Sequence, residues 1–72
     1  MADLSERLIQ LRKQRNVLQK DVANAAKLSV VGYQRYEHGT RKPTSDILIA
    51  LADFFDVSLD YLVGRSDDPT RH

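Results

Sequence analysis

The strongest constraint on this chain is its length of 72 residues combined with the absence of cysteine. A chain this short cannot divide its apolar residues between two cores and keep either one stable, so we expect one domain. Folding at this size hides only about 60% of the surface that the unfolded chain exposes, so a further stabiliser is needed. Disulfides are excluded, and two histidines, His38 and His72, are too few for a zinc site. Self-association is therefore the stabiliser we expect, with no metal and no cofactor.

The net charge of the chain is only +1, but basic and acidic residues are unevenly distributed along it. Residues 1–44 carry nine basic and four acidic residues, net +5, whereas residues 45–72 carry two and six, net −4. One end of the molecule should therefore be electropositive and the other acidic. A positive end is typical of a surface that approaches a polyanion, although a short chain can also acquire such an imbalance by chance.

No segment of the sequence is long enough to cross a membrane. The longest apolar run, from Ile47 to Ala52, ends at Asp53 and falls far short of the roughly 20 residues that a bilayer requires. The first residues also lack a basic stretch followed by an apolar one, so we expect no signal peptide and an intracellular protein.

Apolar spacing predicts five helices and no strand. The first helix presents Leu4, Leu8 and Leu11 along one stripe, with Arg7 elsewhere on the cylinder, and Asn16 can close it in a left-handed conformation. The second runs from about Gln19 to Ala26 and the third from Val30 to about His38. The predicted capping residues are Asp3, Ser29, Thr44 or Ser45, and Ser58, and the predicted glycine stops are Gly39 and Gly64.

The apolar faces of the five predicted helices define one core, and the last of these helices marks the end of the domain. The residues expected in the core are Leu4, Leu8, Leu11, Val22, Ala23, Ala26, Tyr33, Tyr36, Leu48, Leu51, Ala52, Phe55, Leu59 and Leu62. We therefore expect an all-α domain over residues 1–64. The tail over residues 65–72 is polar and contains Pro69, so we expect it to be disordered.

The most informative segment runs from Gln19 to Gly39. Two short helices joined by a three-residue break must cross steeply, and Ala23 is small enough to let the second backbone approach the first. The second helix of the pair then projects from the domain. A projecting helix can enter the major groove of DNA, which is wide enough for it and presents a distinct pattern for each base pair.

The chain resembles the Cro and C1 type of helix-turn-helix transcriptional regulators, also called xenobiotic-response-element-like regulators. The resemblance covers about residues 4 to 63. It rests on the ordered spacing of Leu8, Leu11, Arg12, Gln19, Val22, Ala23, Ser29, Tyr36, Glu37, Gly39, Pro43, Val57, Ser58 and Leu59. It implies a five-helix, lambda-repressor-like fold with the helix-turn-helix at the second and third helices, and a cytoplasmic, nucleoid-associated protein.

The resemblance also implies a DNA-contacting set. Positions that touch base edges in the family are occupied here by Val30, Val31, Gln34 and Arg35. Positions that hold the phosphate backbone are occupied by Gln19, Lys20, Ser29, Arg41 and Lys42. Arginine can bridge O6 and N7 of guanine, glutamine can pair with adenine, and a valine methyl can pack on the thymine methyl. The alternatives are that the valines pack internally, Gln34 is simply solvated, Arg35 contacts phosphate, and Arg41 and Lys42 are ordinary loop charges.

Arg12 and Glu37 match a pair that forms an architectural salt bridge in the family.

Three residues depart from the family pattern. Leu18 stands where a capping residue is usual, Lys27 stands where glycine is common and would be strained if left-handed, and Gly32 weakens the third helix by about 1 kcal/mol relative to alanine.

Five apolar residues remain in the C-terminal half after the core is assigned: Ile47, Ile49, Phe54, Tyr61 and Val63. Such a surplus predicts a homodimer interface, unless these residues simply fill a small core. A twofold dimer would place two recognition helices about 34 Å apart and require a roughly palindromic operator.

The leading hypothesis is a transcriptional regulator, of the bacterial or phage repressor type, that binds double-stranded DNA. The alternative is a protein-interaction module of the same fold, such as an antitoxin or the target of a protein antagonist. We do not expect an enzyme, because the chain has no cysteine, no glycine-rich phosphate loop and no clustered metal ligands.

Overall fold

Five α-helices joined by short turns form the part of the chain that the computed structural model describes, residues 3–71, and this part contains no strand. The helices are α1 (Leu4–Arg15), α2 (Gln19–Ala25), α3 (Val30–His38), α4 (Ser45–Phe55) and α5 (Leu59–Leu62). The predicted all-α fold and the order of its five helices are confirmed. No helix in this range is long and apolar enough to span a bilayer.

Short polar side chains begin four of the helices, as predicted. Asp3, Ser29, Thr44 and Ser58 each accept a hydrogen bond from a backbone N–H in the first turn of the helix that follows. These bonds satisfy amide donors that have no partner inside the helix. The helix ends also follow the sequence, because Asn16 closes α1 and Gly39 closes α3 in the left-handed conformation.

One apolar core holds the helices together. Its largest fully buried side chains come from all five helices and the turn before α5, and they are Leu8, Leu11, Val22, Tyr33, Leu51, Phe55, Val57 and Leu62. Helix α3 packs mainly against α1 and α2, while α4 packs against α2 and α5. The core therefore lies on one side of α3 and leaves its other side without a covering helix.

Arg7 and Tyr61 differ from the sequence prediction. Arg7 is buried, and its guanidinium carbon lies 3.8 Å from the centroid of the Tyr61 ring, which is the geometry of a cation–π contact. Tyr61 was expected at a dimer interface, but it is 7% exposed and belongs to the monomer core. A one-face helical pattern cannot reveal this contact, because α5 packs on α1 only in the tertiary fold.

The segment after α5 also differs from the expected disordered tail. The Ser58 N–H donates to the carbonyl oxygen of Pro69 at 3.1 Å. Arg71 forms an ion pair with Asp53, with 2.6 Å between Nη2 and Oδ1, and Asp67 lies 3.5 Å from Nη2 of Arg7. Residues 65–71 therefore fold back along α4 and α5, because their basic and acidic side chains find partners there. His72 lies outside the described residues.

Two of the three departures from the family pattern have local explanations, and the third, Lys27, adopts the strained conformation. Leu18 offers no side-chain acceptor, but its backbone N–H donates to Oδ2 of Asp21 at 3.0 Å, which ties down the start of α2. Lys27 is left-handed, with φ of 58°. A Cβ atom built on Gly32 would lie 3.1 Å from Oγ of Ser29, so glycine leaves room for the hydroxyl that caps α3.

Replacing Lys27 with glycine is expected to stabilise the domain by up to about 1 kcal/mol, because glycine adopts a positive φ without the steric cost that a side chain adds. Urea unfolding of the wild type and the variant measures the difference in the free energy of unfolding. Lys27→Ala is the matched control, and it should bring no gain because alanine keeps the strain. A glycine variant no more stable than the alanine variant would show that this turn stores no strain.

Candidate nucleic-acid interface

The outer face of α3 is open to solvent over its first two turns. Val31 is 58% exposed and Val30 is 38% exposed, although both are apolar. Arg35, one turn further along, is also exposed. The four predicted base-contacting residues therefore lie on the accessible side of the helix, with Gln34 half-buried at its edge. No neighbouring element within residues 3–71 covers this face.

Gln34 and Gln19 join α3 to the start of α2. Nε2 of Gln34 donates to Oε1 of Gln19 at 3.0 Å, and Nε2 of Gln19 donates to Oε1 of Glu37 at 3.2 Å. The sequence predicted a phosphate contact for Gln19, but its side chain is turned towards α3 and already holds two partners. Helical spacing could not predict this contact, because the two glutamines are fifteen residues apart.

Arg12 and Glu37 form an ion pair between α1 and the end of α3. Nε of Arg12 lies 2.7 Å from Oε2 of Glu37, and a second hydrogen bond joins Nη2 to Oε1 at 3.3 Å. The Glu37 side chain is 3% exposed and that of Arg12 is 20% exposed. A two-point contact of this kind holds planar groups in one orientation, so it sets the angle at which α3 leaves the core.

The surroundings keep the Glu37 carboxylate ionised. Burial alone would raise the pKa of Glu37, but the hydrogen bonds from the Arg12 guanidinium and the Gln19 amide outweigh it and bring the pKa below its ordinary value. The hydrogen bond to Glu37 in turn raises the pKa of Arg12. Burial raises the pKa of Tyr33, which therefore stays a neutral phenol.

The predicted phosphate contacts other than Gln19 lie at the borders of this face. Lys20, Ser29, Arg41 and Lys42 are all exposed. The Ser29 hydroxyl accepts from the N–H of Gly32 at 3.0 Å and still has its own hydrogen to donate. The three cations extend into solvent at the start of α2 and in the turn after α3, so positive charge borders α3 on two sides.

The residues predicted for a dimer interface do not form one surface. Ile47 and Phe54 lie two turns apart on one side of α4, whereas Ile49 faces another direction. Ile49 is 47% exposed and lines a groove together with Leu59. Leu59 was expected in the core from the sequence, but it is 44% exposed. Phe54 packs edge-on against Phe55, with 5.1 Å between ring centroids, and Val63 is half-buried.

Known proteins share both the sequence pattern and the fold. A family model described as helix-turn-helix matches residues 8–62, which is most of the chain. The chain belongs to the Cro/C1-type helix-turn-helix family. The family predicted from the spacing of the sequence is therefore confirmed.

Curated relatives carry the same domain within longer proteins. The uncharacterized HTH-type transcriptional regulator YobD of Bacillus subtilis is 39% identical over 64 residues, which cover 89% of this chain and 57% of the relative. The cryptic phage CTXphi transcriptional repressor RstR of Vibrio cholerae is 37% identical over 62 residues, 86% of this chain and 55% of the relative. The chain thus spans about half the length of the relatives that it matches. Both are named as regulators and not as enzymes, which agrees with the sequence argument against catalysis.

Solved structures confirm the repressor-like fold. A transcriptional regulator from Listeria innocua superposes with a TM-score of 0.82 at 31% identity, covering 86% of this chain and 58% of that one. The P22 c2 repressor, solved in complex with a synthetic operator, superposes with a TM-score of 0.84 at 24% identity, over 92% of this chain and all of that one. At that identity the second likeness concerns the fold alone.

Glu37→Gln is expected to lower the free energy of unfolding by about 3 kcal/mol at neutral pH. Removing one partner of a buried ion pair leaves the other charge uncompensated and costs about 3 to 5 kcal/mol, and the partial exposure of Arg12 favours the lower end. Because the pKa of Glu37 is depressed on folding, its contribution is complete above the ordinary glutamate value of 4.5 and is lost as pH falls further. Urea unfolding between pH 7 and pH 3 measures both effects.

Glu6→Gln is the control for that experiment, because Glu6 is an exposed glutamate of α1. Its free energy of unfolding should stay close to that of the wild type. A gap between Glu37→Gln and the wild type that does not shrink with falling pH would show that the loss comes from packing and not from the charge of Glu37.

Proposed function

We propose that this protein binds specific sequences of double-stranded DNA as a transcriptional repressor, with α3 in the major groove. The observation that carries the proposal is the open face of α3, on which exposed valines and an exposed arginine are bordered by cations. Apolar side chains at this exposure are costly in water, and packing on thymine methyl groups would recover part of that cost. The description of the relative RstR as a repressor supports the sign of regulation.

The charge distribution favours DNA approaching from the α2 and α3 side. The basic excess lies in residues 1–44 and the acidic excess in residues 45–72, which form α4, α5 and the segment after them. A polyanion is attracted to the first half and repelled by the second. Lys20, Arg41 and Lys42 would then hold the phosphate backbone and fix the register of α3 in the groove.

We further propose that the protein binds a palindromic operator as a dimer through Ile49 and Leu59. One short helix contacts too few base pairs to distinguish a single site in a genome. These two side chains are the most exposed aliphatic residues of α4 and α5, and they line the same groove. A twofold pairing there would leave both α3 faces free, because α3 packs mainly against α1 and α2.

Selection of bound duplexes from a random pool tests sequence-specific binding directly. A conserved motif among the selected duplexes, with affinity that falls steeply as salt rises, is the expected result. An absence of any motif would contradict the proposal. Weak, sequence-independent binding that hardly responds to salt would instead favour a protein-interaction module of the same fold.

Arg35→Ala is expected to cost about 1 to 3 kcal/mol of binding to the selected duplex and to relax the preference at one base pair, because it removes a side chain that reads a base edge. Lys42→Ala should weaken binding to all sequences about equally and reduce the dependence on salt, since a phosphate contact carries no sequence information. Fluorescence anisotropy on the selected duplex and its single-base variants separates the two patterns. An equal loss on every duplex for both variants would assign Arg35 to the phosphate backbone.

Ile49→Asp is expected to convert the dimer to a monomer in sedimentation equilibrium, because a charge would be buried on each side of the twofold axis. Leu18→Asp is the matched control, since Leu18 is equally apolar and 59% exposed but lies at the start of α2. That variant should remain dimeric. A wild-type protein that sediments as a monomer at every concentration would rule out dimerisation by this chain alone.

A further inference from the structure

The polar segment after α5, residues 65–71, is held against the ends of α4 and α5. The carbonyl oxygen of Pro69 accepts from the backbone N–H of Ser58 at 3.1 Å. Two residues further on, Nη2 of Arg71 donates to Oδ1 of Asp53 at 2.6 Å. These two contacts fix Arg71 at one place on the surface, although its side chain is 44% exposed.

Arg71 lies along the groove between α4 and α5. Ile49 and Leu59 line this groove, and Arg71 and Asp60 are among the other residues that line it. Both aliphatic side chains stay close to half-exposed with the segment in place, so the segment borders the groove and does not fill it. One surface therefore combines exposed apolar side chains with a cation and an anion.

Asp60 and Arg71 both retain capacity for a further partner. Asp60 is exposed and takes part in no ion pair within residues 3–71. A guanidinium carries several N–H donors, and the hydrogen bond from Arg71 to Asp53 uses a single one of them. Asp56 lies 3.7 Å from Nη1 of Arg71, which is beyond hydrogen-bonding distance. Each group can therefore bind an opposite charge from another molecule.

A surface that carries both signs of charge fits a second copy of itself. In a twofold interface, if one residue contacts a second residue of the partner, the second also contacts the first. Arg71 of one copy can then face Asp60 of the other, and the reverse. Residues 45–72 carry two basic and six acidic residues, net −4, so two copies that meet there repel each other unless opposite charges are paired across the interface.

We propose that Arg71 and Asp60 pair across the twofold axis of the dimer, and that the groove containing Ile49 and Leu59 is thereby a self-complementary docking surface for a second copy of this chain. This inference rests on the proposed dimer and adds the charge pair that specifies it. Asp53 acts as a positioning residue in this interface, because its hydrogen bond holds the Arg71 guanidinium beside the groove.

Charge reversal tests the pairing by sedimentation equilibrium in the absence of DNA. Arg71→Glu and Asp60→Lys are each measured alone and then as an equimolar mixture. Lys13→Glu and Glu6→Lys are the matched controls, because they make the same changes in net charge at exposed positions of α1. Circular dichroism establishes that each variant is folded before its association is measured.

Arg71→Glu alone and Asp60→Lys alone should each weaken dimerisation by on the order of tenfold, because both contacts of the dimer then join like charges. The equimolar mixture should recover the wild-type affinity, since each contact in the mixed dimer again joins opposite charges. The losses should shrink at about 1 M salt, where the Debye length is about 3 Å. Each control variant should dimerise as the wild type does, and mixing the two controls should add nothing.

Single variants that dimerise as tightly as the wild type, or controls that lose as much as they do, would overturn the pairing. A loss that mixing does not restore would also overturn it, because Arg71 would then act only by holding the segment in place. A wild type that stays monomeric would instead overturn the proposed dimer itself, and the pairing with it, so the two failures are distinguishable.

Discussion

The ion pair between Arg12 and Glu37 is the contact on which the proposed DNA-binding surface depends. It joins the last turn of α1 to the last turn of α3 through two hydrogen bonds, and the carboxylate is almost completely buried. A buried carboxylate is costly without partners, and Glu37 accepts hydrogen bonds from Arg12 on α1 and from Gln19 on α2. Satisfying this buried charge therefore ties the end of α3 to α1 and α2, in addition to the packing of Tyr33 and Tyr36 in the core.

This small domain leaves one face of α3 exposed because contacts on the inner side of the helix are enough to hold it. Helix α3 buries Tyr33 and Tyr36 on its inner side and leaves Val30 and Val31 in water. Arg7 adds a second polar contact to the core by stacking on Tyr61 and thereby joining α1 to α5. Apolar packing and these two arginine contacts hold the scaffold, so Val30, Val31 and Arg35 on the outer face of α3 are not needed for it.

Much of the fold could be predicted because its signals are local. A capping serine or threonine acts on an amide three residues away, and a left-handed residue such as Asn16 ends the helix in which it occurs. The positions of Val30, Val31 and Arg35 on one accessible face also follow from helical periodicity. For the same reason the turn at Lys27 could be anticipated, since the break between α2 and α3 is only a few residues long.

Most of the predictions that differ from the structure concern pairs of residues far apart in sequence. Arg7 was expected away from the apolar stripe of α1, and the segment after α5 was expected to be disordered. Gln19 was expected to face phosphate, and Tyr61 was expected on a shared surface with Ile49. In each of these cases the partner that changes the outcome lies on another helix, such as Gln34 for Gln19 and Arg7 for Tyr61.

The sequence by itself determined which segments are helical, where they begin and end, and to which family the chain belongs, because these properties depend on spacing and on contacts within a single turn. The tertiary structure alone decided which polar groups face one another. Helix packing places the amide of Gln19 between Glu37 and Gln34, and an ionised, buried carboxylate then imposes one direction on the hydrogen bonds that lead to the surface. That direction is a property of three side chains brought together from two helices, and no periodicity along the chain encodes it.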